Sequence, residues 1–293
     1  MIFGISTQAL MSQLLVGLIY GSFYALLSLG LAIIFGLLNI VNFAHGALYT
    51  LGAFVAWFLL EYAGIGYWGA LILSPLVVGL VGAIIERLML KPLHGLDPLY
   101  GLLLTFGLAL IIQGLFLNAY GSSGLPYSIP ETLAGGINLG FMFLPKYRGW
   151  VIVFSLAVCL ATWYVTERTR LGSYLRAATE NPSLVQAFGV NVPQMITLTY
   201  AMGVALAALA GVMAAPIYRV SPLMGSEMII VVFAVVVIGG MGSIMGSIVT
   251  GFALGIIEGL TKVFYPEASN VVVFVIMALV LMVKSSGLFG KAG

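Results

Sequence analysis

Residues 9–37 read ALMSQLLVGLIYGSFYALLSLGLAIIFGL, and this stretch decides the class of fold. It holds no acidic, basic or histidine side chain from end to end. At about 1.5 Å per residue, an α-helix of this length exceeds the roughly 30 Å hydrocarbon core of a bilayer. The stretch therefore predicts a membrane-spanning helix that is tilted, broken or longer than the bilayer.

The rest of the chain repeats this apolar pattern. Of its 293 residues, 62% are apolar and 7% are charged, whereas a soluble domain carries about 25% charged residues. This composition excludes an ordinary soluble enzyme, a nucleic-acid binder and a disordered protein. The runs are continuous, unlike the alternating segments of a membrane β-barrel. They lie at about 43–60, 67–90, 99–119, 149–166, 194–215, 227–241, 247–263 and 270–284.

We therefore predict an all-α fold, a polytopic bundle of eight or nine transmembrane helices in a single membrane domain over 1–293. The number depends on 239–246, which could be a short turn or a broken helix.

Basic residues in the connections predict orientation, because they accumulate on the cytoplasmic side. One side receives Arg87, Lys91, Arg168, Arg170, Arg176, Lys284 and Lys291, and the other receives Lys146, Arg148, Arg219 and Lys262. The bias predicts a cytoplasmic loop at about 167–193 and an external loop at about 121–149, in which 137–144 could form a small hairpin.

The cytoplasmic loop contains two short helical patterns. The first covers 173–179 and ends at Asn181-Pro182, because proline disfavours helix at the residue before it. The second starts at Ser183, which can cap it, and ends at Gly189, which easily adopts a left-handed conformation. Its apolar face is Leu184, Ala187 and Phe188. It is either a solvated helical turn or a docking helix that inserts into a groove on a cytoplasmic partner.

Two irregular segments interrupt the apolar pattern. The first holds Asn39, Asn42, His45 and Gly46, and the second, at 239–246, holds Gly239, Gly240 and Gly242. Irregular backbone survives in a membrane only inside protein or beside a wet cavity, which predicts that both segments line a translocation path. The alternative for the first is a cytoplasmic turn with Asn42 as the helix N-cap. The alternative for the second is close helix packing, which glycine permits.

The last third of the chain carries two further helix patterns. Gly251, Gly255 and Gly259 are spaced by four and form one smooth helix face, which predicts an interface within the chain or with a second membrane subunit. Glu258 and Lys262 form an i, i+4 pair in the favourable direction. An acid within a membrane span is a functional candidate, but this pairing favours a structural salt bridge.

The two histidines and one cysteine form no ligand pattern, so we expect no metal and no cofactor.

The order of motifs resembles the branched-chain amino acid permeases of the LivH type. The residues that carry this resemblance are 17–26 (GLIYGSFYAL), 30–36 (GLAIIFG), 39–46 (NIVNFAHG) and 239–243 (GGMGS) followed by Gly246. The run 176–191 (RAATENPSLVQAFGVN) resembles the cytoplasmic coupling loop of ABC-importer permeases, with Ala-Ala-Thr-Glu where the usual version reads Glu-Ala-Ala.

The resemblance implies one of two different permease subunits of an inner-membrane ABC importer. The expected partners are a second, LivM-like permease, two ATP-binding subunits and a periplasmic substrate-binding protein. No Gly-x-x-x-x-Gly-Lys-Ser/Thr sequence is present, so ATP-derived energy would enter through a partner, and the chain is expected to be a transporter subunit and not an enzyme. The residues expected to contact the ATPase are Glu180, Asn181, Ser183, Ala187, Phe188 and Gly189.

The implied cargo is leucine, isoleucine or valine, although similar permeases carry other amino acids, urea or short amides. A rival interpretation is a stand-alone channel or an ion-coupled carrier, which would need acidic or histidine residues within its spans. Glu258 is the residue that suits that role, and it is predicted to be paired. A membrane enzyme would need a cluster of histidine or acidic residues near an interface, and the sequence has none.

Overall fold

A computed structural model describes residues 6–38, 41–140 and 142–290. Eleven α-helices lie within these ranges: α1 (Thr7–Leu38), α2 (Ala44–Ala63), α3 (Tyr67–Ile85), α4 (Pro98–Tyr120), α5 (Lys146–Arg168), α6 (Arg170–Glu180), α7 (Pro182–Ala187), α8 (Val192–Tyr218), α9 (Met224–Gly239), α10 (Ile244–Phe264) and α11 (Val272–Val283). A π-helical turn (Glu86–Leu90) and a 3-10 turn (Lys91–Leu93) extend α3. The strands are β1 (Gly136–Asn138) and β2 (Phe143–Pro145).

The predicted fold class, an all-α polytopic membrane bundle, is confirmed. Seven of the helices in the described ranges are long and apolar enough to cross a membrane, namely α1 to α5, α8 and α10. Two shorter apolar helices, α9 and α11, account for the other two predicted runs. The small hairpin predicted in the loop after α4 is also confirmed, because β1 and β2 pair antiparallel with Ile137 opposite Leu144.

Contacts divide the chain into two units. The first unit comprises 1–28, 129–160 and 231–293, and the second comprises 29–128 and 161–230. In the first, α10 packs on the N-terminal half of α1 along the glycine face predicted from the sequence. A Cβ at Gly255 would lie 2.5 Å from the carbonyl oxygen of Gly17, and one at Gly251 would lie 2.5 Å from the Cα of Ala25. The glycine face is therefore an interface within the chain, where the absence of side chains lets the two backbones touch.

The turn between α9 and α10 also belongs to the first unit, and it settles the ambiguity at 239–246 in favour of a short turn. Gly240 and Gly242 have φ values of +100° and +82°, which glycine adopts without the steric cost of a side chain. The backbone N–H groups of Leu288 and Phe289 donate to the carbonyl oxygens of Ile238 and Gly239. The C-terminal segment thereby satisfies carbonyls that the end of a helix leaves without partners.

In the second unit, α2 and α3 pack against α8, and α4 packs against α2. Its core combines small, branched and aromatic side chains: Ile34, Ala44, Leu48, Val78, Ile85, Leu90, Tyr200, Val204 and Ala208. The opposite faces of α3 and α4 expose large apolar side chains, among them Ile72, Leu76 and Leu80 of α3 and Leu103 of α4. Such faces are stable against lipid and costly against water, as expected for helices at the rim of a membrane bundle.

Candidate functional site

The non-helical segment between α1 and α2 is held by two neighbouring helices. Its Asn42 side chain is buried and donates from Nδ2 to the hydroxyl oxygen of Tyr200 on α8, at 3.0 Å. Thr105 on α4 accepts a hydrogen bond from the backbone N–H of Phe43 at 3.2 Å. The alternative prediction that Asn42 caps α2 is wrong, because Phe43 occupies the N-cap position without a side-chain hydrogen bond. The Asn42 side chain instead donates to Tyr200, and its carboxamide oxygen, the atom that a cap would use, accepts no hydrogen bond from the described residues.

A pocket opens directly beside this segment, within the second unit. Three elements line it: Phe43, Gly46, Ala47 and Thr50 at the start of α2; Phe106, Ala109, Leu110, Ile112 and Gln113 on α4; and Pro222, Gly225, Ser226 and Ile229 around the start of α9. The lining is mainly apolar, its polar side chains are Thr50, Gln113 and Ser226, and none of the lining residues is charged. Mostly apolar walls with a few polar groups are typical of sites for small molecules.

Close backbone contact shapes one wall of this pocket. A Cβ at Gly46 would lie 2.5 Å from the carbonyl oxygen of Gly225, so the starts of α2 and α9 touch only because both positions are glycine. The hydroxyl of Thr50 donates to the carbonyl oxygen of Gly46 at 3.3 Å, which leaves its methyl group for packing. The wall is thereby fixed by backbone and not by long, mobile side chains.

The structure places the residues predicted for the translocation path in different parts of the chain, and only some of them lie at the pocket. Gly46 lines the pocket and Asn42 lies next to Phe43, which also lines it. His45 is fully buried, and its ring lies against Gly30 of α1, where a Cβ would lie 3.0 Å from Cε1. Asn39 lies outside the described residues. Gly239, Gly240 and Gly242 form the α9–α10 turn of the first unit. A path role for these positions stays a prediction.

The second candidate site is α7 with its flanking residues. The Asn181 carboxamide oxygen accepts from the backbone N–H of Leu184 at 3.0 Å and from the hydroxyl of Ser183 at 2.8 Å. The prediction that Ser183 caps this helix is therefore wrong: Asn181 is the cap, and Pro182 takes the first helical position, where no N–H is needed. Gly189 follows the helix with φ +84°, in the predicted left-handed conformation.

One face of α7 is anchored and the other is exposed. Val185 is buried with Ala178 of α6 and Val192 of α8 in a small apolar cluster. Leu184 and Phe188 are 54% and 80% exposed, and Glu180 and Ala187 are exposed as well. Leu184 and Phe188 are four residues apart, so the two exposed apolar side chains lie on the same side of the helix.

A buried carboxylate near α8 was not identified from the sequence. Glu86, in the π-helical turn after α3, is 1% exposed and accepts a hydrogen bond from the hydroxyl of Thr197 on α8. The imidazole Nε2 of His94 lies 3.8 Å from the carboxylate. Burial, aided by the positive charge of Lys91, lowers the pKa of His94, although the Glu86 carboxylate acts in the opposite direction. In the sequence, Glu86 is an acidic residue at the end of an apolar run, but the adjacent basic residues are equally typical of a solvated loop.

The predicted pairing of Glu258 with Lys262 is present in the first unit. Lys262 Nζ lies 2.7 Å from Glu258 Oε1, and the hydroxyl of Tyr24 donates to Glu258 Oε2 at 2.7 Å. The ammonium group also lies 4.1 Å from the ring centroid of Tyr20. Both carboxylate oxygens thus have partners, and the lysine has an anion and an aromatic face.

Comparison with known proteins gives one consistent result. Residues 13–281 match the family described as the branched-chain amino acid transport system permease component. The permease protein BraD of Pseudomonas aeruginosa is 29% identical, and LivH of Escherichia coli is 30% identical, each over 96% of both chains. Both are described as high-affinity branched-chain amino acid transport system permease proteins. LivM of Salmonella typhimurium is 28% identical over 90% of this chain and 67% of its own length.

Proposed function

This chain belongs to the family of branched-chain amino acid transport system permease components, and from that premise we propose that it carries leucine, isoleucine, valine or a related amino acid through an inner-membrane ABC importer. It is an integral, multi-pass membrane protein and a transport permease. The observation that supports the cargo is the uncharged pocket formed by α2, α4 and the start of α9. Its apolar walls suit an aliphatic side chain, and its polar side chains, Thr50, Gln113 and Ser226, are the groups that can hydrogen-bond to the ammonium and carboxylate of an amino acid.

The proposed partners are a second permease, two ATP-binding subunits and a periplasmic binding protein that delivers the cargo. The similarity to a LivM protein supports pairing with a related permease, because it indicates that the two chains share one fold. The exposed face of α7 is the proposed contact for an ATP-binding subunit, on the cytoplasmic side. Arg168, Arg170 and Arg176 around it agree with that orientation.

The test of the cargo is uptake of radiolabelled leucine by liposomes that hold the whole complex, with ATP inside and the binding protein outside. Ala109→Phe would fill the pocket, and Ile111→Phe adds the same ring at an exposed position of α4. We expect the first variant to lose most leucine uptake and the second to retain it. Uptake of urea without leucine would instead support the short-amide alternative. Full uptake by the chain alone, without ATP, would favour a stand-alone carrier and refute the importer.

The test of the contact on α7 is ATP hydrolysis coupled to uptake. Ala187→Asp places a charge on the exposed apolar face of α7, and Gln194→Asp places the same charge at an exposed position of α8. We expect Ala187→Asp to remove uptake while the chain remains in the membrane and folded, because the ATP-binding subunits no longer seat on it. Equal uptake in both variants would contradict a role for α7 in coupling.

A further inference from the structure

Two consecutive hydrogen bonds run along one side of α8. Thr197 and Tyr200 are three residues apart and therefore share a helix face. The Thr197 hydroxyl donates to the carboxylate of Glu86, and the Tyr200 hydroxyl accepts from the amide of Asn42. We refer to these four residues as the α8 ladder. Glu86, Asn42 and Tyr200 are each 1% exposed, so their hydrogen bonds are made away from water, where they are strong and costly to break.

One end of the ladder lies close to the proposed contact with the ATP-binding subunit. Val192, in the first turn of α8, is buried against Val185 of α7. The amide oxygen of Asn191 caps α8 by accepting from the backbone N–H of Gln194 at 3.1 Å. A displacement of α7 must therefore reach the first turns of α8, because the connection between the two helices is short, capped and packed.

The other end of the ladder lies at the pocket. Asn42 precedes Phe43, whose side chain lines the pocket, and Thr105 of α4 holds the backbone N–H of Phe43. The segment 41–43 is not helical, and besides one backbone bond to α2, from the N–H of His45 to the carbonyl oxygen of Asn42, it is held by Tyr200 of α8 and Thr105 of α4. Its position is thus set by side-chain contacts to α8 and α4, so a shift of Tyr200 changes the wall of the pocket directly.

On the basis of the proposed function, we infer that Thr197, Glu86 and Tyr200 are positioning residues that transmit movement of α7 to the Asn42–Phe43 wall of the pocket. They do not contact the cargo. Thr197 and Glu86 fix the rotation of α8 against the extension of α3, and Tyr200 fixes the non-helical segment to the same helix. When the ladder is broken, α7 still moves with the ATP-binding subunit, but the wall of the pocket moves less. The amount of cargo transported per ATP hydrolysed therefore falls.

The experiment measures leucine uptake and ATP hydrolysis together in liposomes that hold the complete complex. Tyr200→Phe removes only the hydroxyl of the ladder, and Tyr49→Phe removes the hydroxyl of another tyrosine that is 1% exposed in the same unit. Thr197→Val has a matched control in Thr199→Val, a buried threonine two residues along α8. Because a net hydrogen bond is equivalent to about a two- to tenfold change in an equilibrium, we expect Tyr200→Phe and Thr197→Val to lower uptake per ATP by that factor. The controls should keep the wild-type ratio.

A structural role alone would reduce the amount of folded complex and leave uptake per ATP unchanged, which makes this ratio the deciding readout. A second readout needs no cargo: with Cys159→Ser as background, Ser226→Cys at the exposed rim of the pocket is labelled by a maleimide with and without ATP. We expect ATP to change the labelling rate, and Tyr200→Phe to diminish that change. If the ladder variants match their controls in both readouts, the inference is wrong. If the wild-type complex takes up no leucine but ATP still changes labelling, the proposed cargo fails while the ladder is still tested.

Discussion

Gly255→Ala is the sharpest test of how α1 and α10 pack in the first unit. The new Cβ would lie 2.5 Å from the carbonyl oxygen of Gly17 and against the backbone of Gly21. Ordinary contact needs about 3.5 Å, so the two helices would have to separate by about 1 Å. Backbone atoms cannot rotate away as a flexible side chain can, and the separation would loosen every contact along this face.

The matched control is Gly114→Ala on α4, where a Cβ would meet nothing within 4 Å. Both changes replace glycine within a helix, so the gain in helix propensity, about 1 kcal/mol, is common to both and cancels in the comparison. The remaining difference is the cost of overpacking, about 1–3 kcal/mol. For a chain of this size it corresponds to a melting temperature lower by roughly 2–5 °C.

The assay is thermal unfolding of both variants in the same detergent, followed by intrinsic fluorescence and by size-exclusion recovery after heating. We expect Gly255→Ala to melt below the wild type and Gly114→Ala to melt at or slightly above it. Equal melting temperatures for the two variants would refute the reasoning, since α1 and α10 would then not be in backbone contact.

Three other changes have defined outcomes. Asn181→Ala removes the cap of α7 at a cost of about 0.5–2 kcal/mol, which should appear as faster hydrogen exchange of the amides at 183–188; unchanged exchange would contradict the cap. Lys262→Met leaves Glu258 without its cation. Because the lysine is partly exposed, we expect a loss of folding stability of roughly 1–3 kcal/mol, between the values for surface and for buried salt bridges. The double variant with Glu258→Gln should recover most of this stability in a melting experiment. The pKa of His94 is lowered in the folded state, so as the pH falls the unfolded state binds the proton first, and the stability of the fold declines below about pH 6.5. The melting temperature of His94→Gln should therefore depend less on pH between 7.5 and 5.5 than that of the wild type. An identical pH dependence would contradict this assignment.

The parts of the fold that were predictable from sequence are those that depend on local pattern. Continuous apolar runs identified the membrane helices, and the four-residue spacing from Gly251 to Gly259 identified a packing face. Pro182 marked the break before the predicted helix and Gly189 marked its end, because each restricts or permits backbone conformations by itself. The pairing of Glu258 with Lys262 needed only helical geometry, since four residues place both side chains on one face.

The features that were missed depend on partners distant in the chain. Ser183 and Asn181 can both cap a helix, and the choice between them follows from where the chain turns, which Pro182 sets by favouring the first helical position. Asn42 has the chemistry of a cap, but its side chain lies against α8, where Nδ2 donates to Tyr200, far away in sequence. Glu86 is adjacent to basic Arg87, and only the packing of α8 over it makes it a buried acid.

The properties of α8 explain why these distant contacts converge on one helix. Small residues let its neighbours approach it at backbone distance: a Cβ at Gly203 would lie 2.7 Å from the carbonyl oxygen of Gly30, and Ala208 lies against Gly52 of α2. A helix packed this closely on α1 and α2 cannot bend locally without disturbing both, since densely packed interiors transmit displacement instead of absorbing it. A push at its first turn is therefore expected to shift α8 over several turns, and the hydroxyl of Tyr200 is where that shift meets the wall of the pocket. In the proposed importer, small residues, which are usually considered only for stability, would thus also provide the stiffness that coupling between ATP hydrolysis and transport requires.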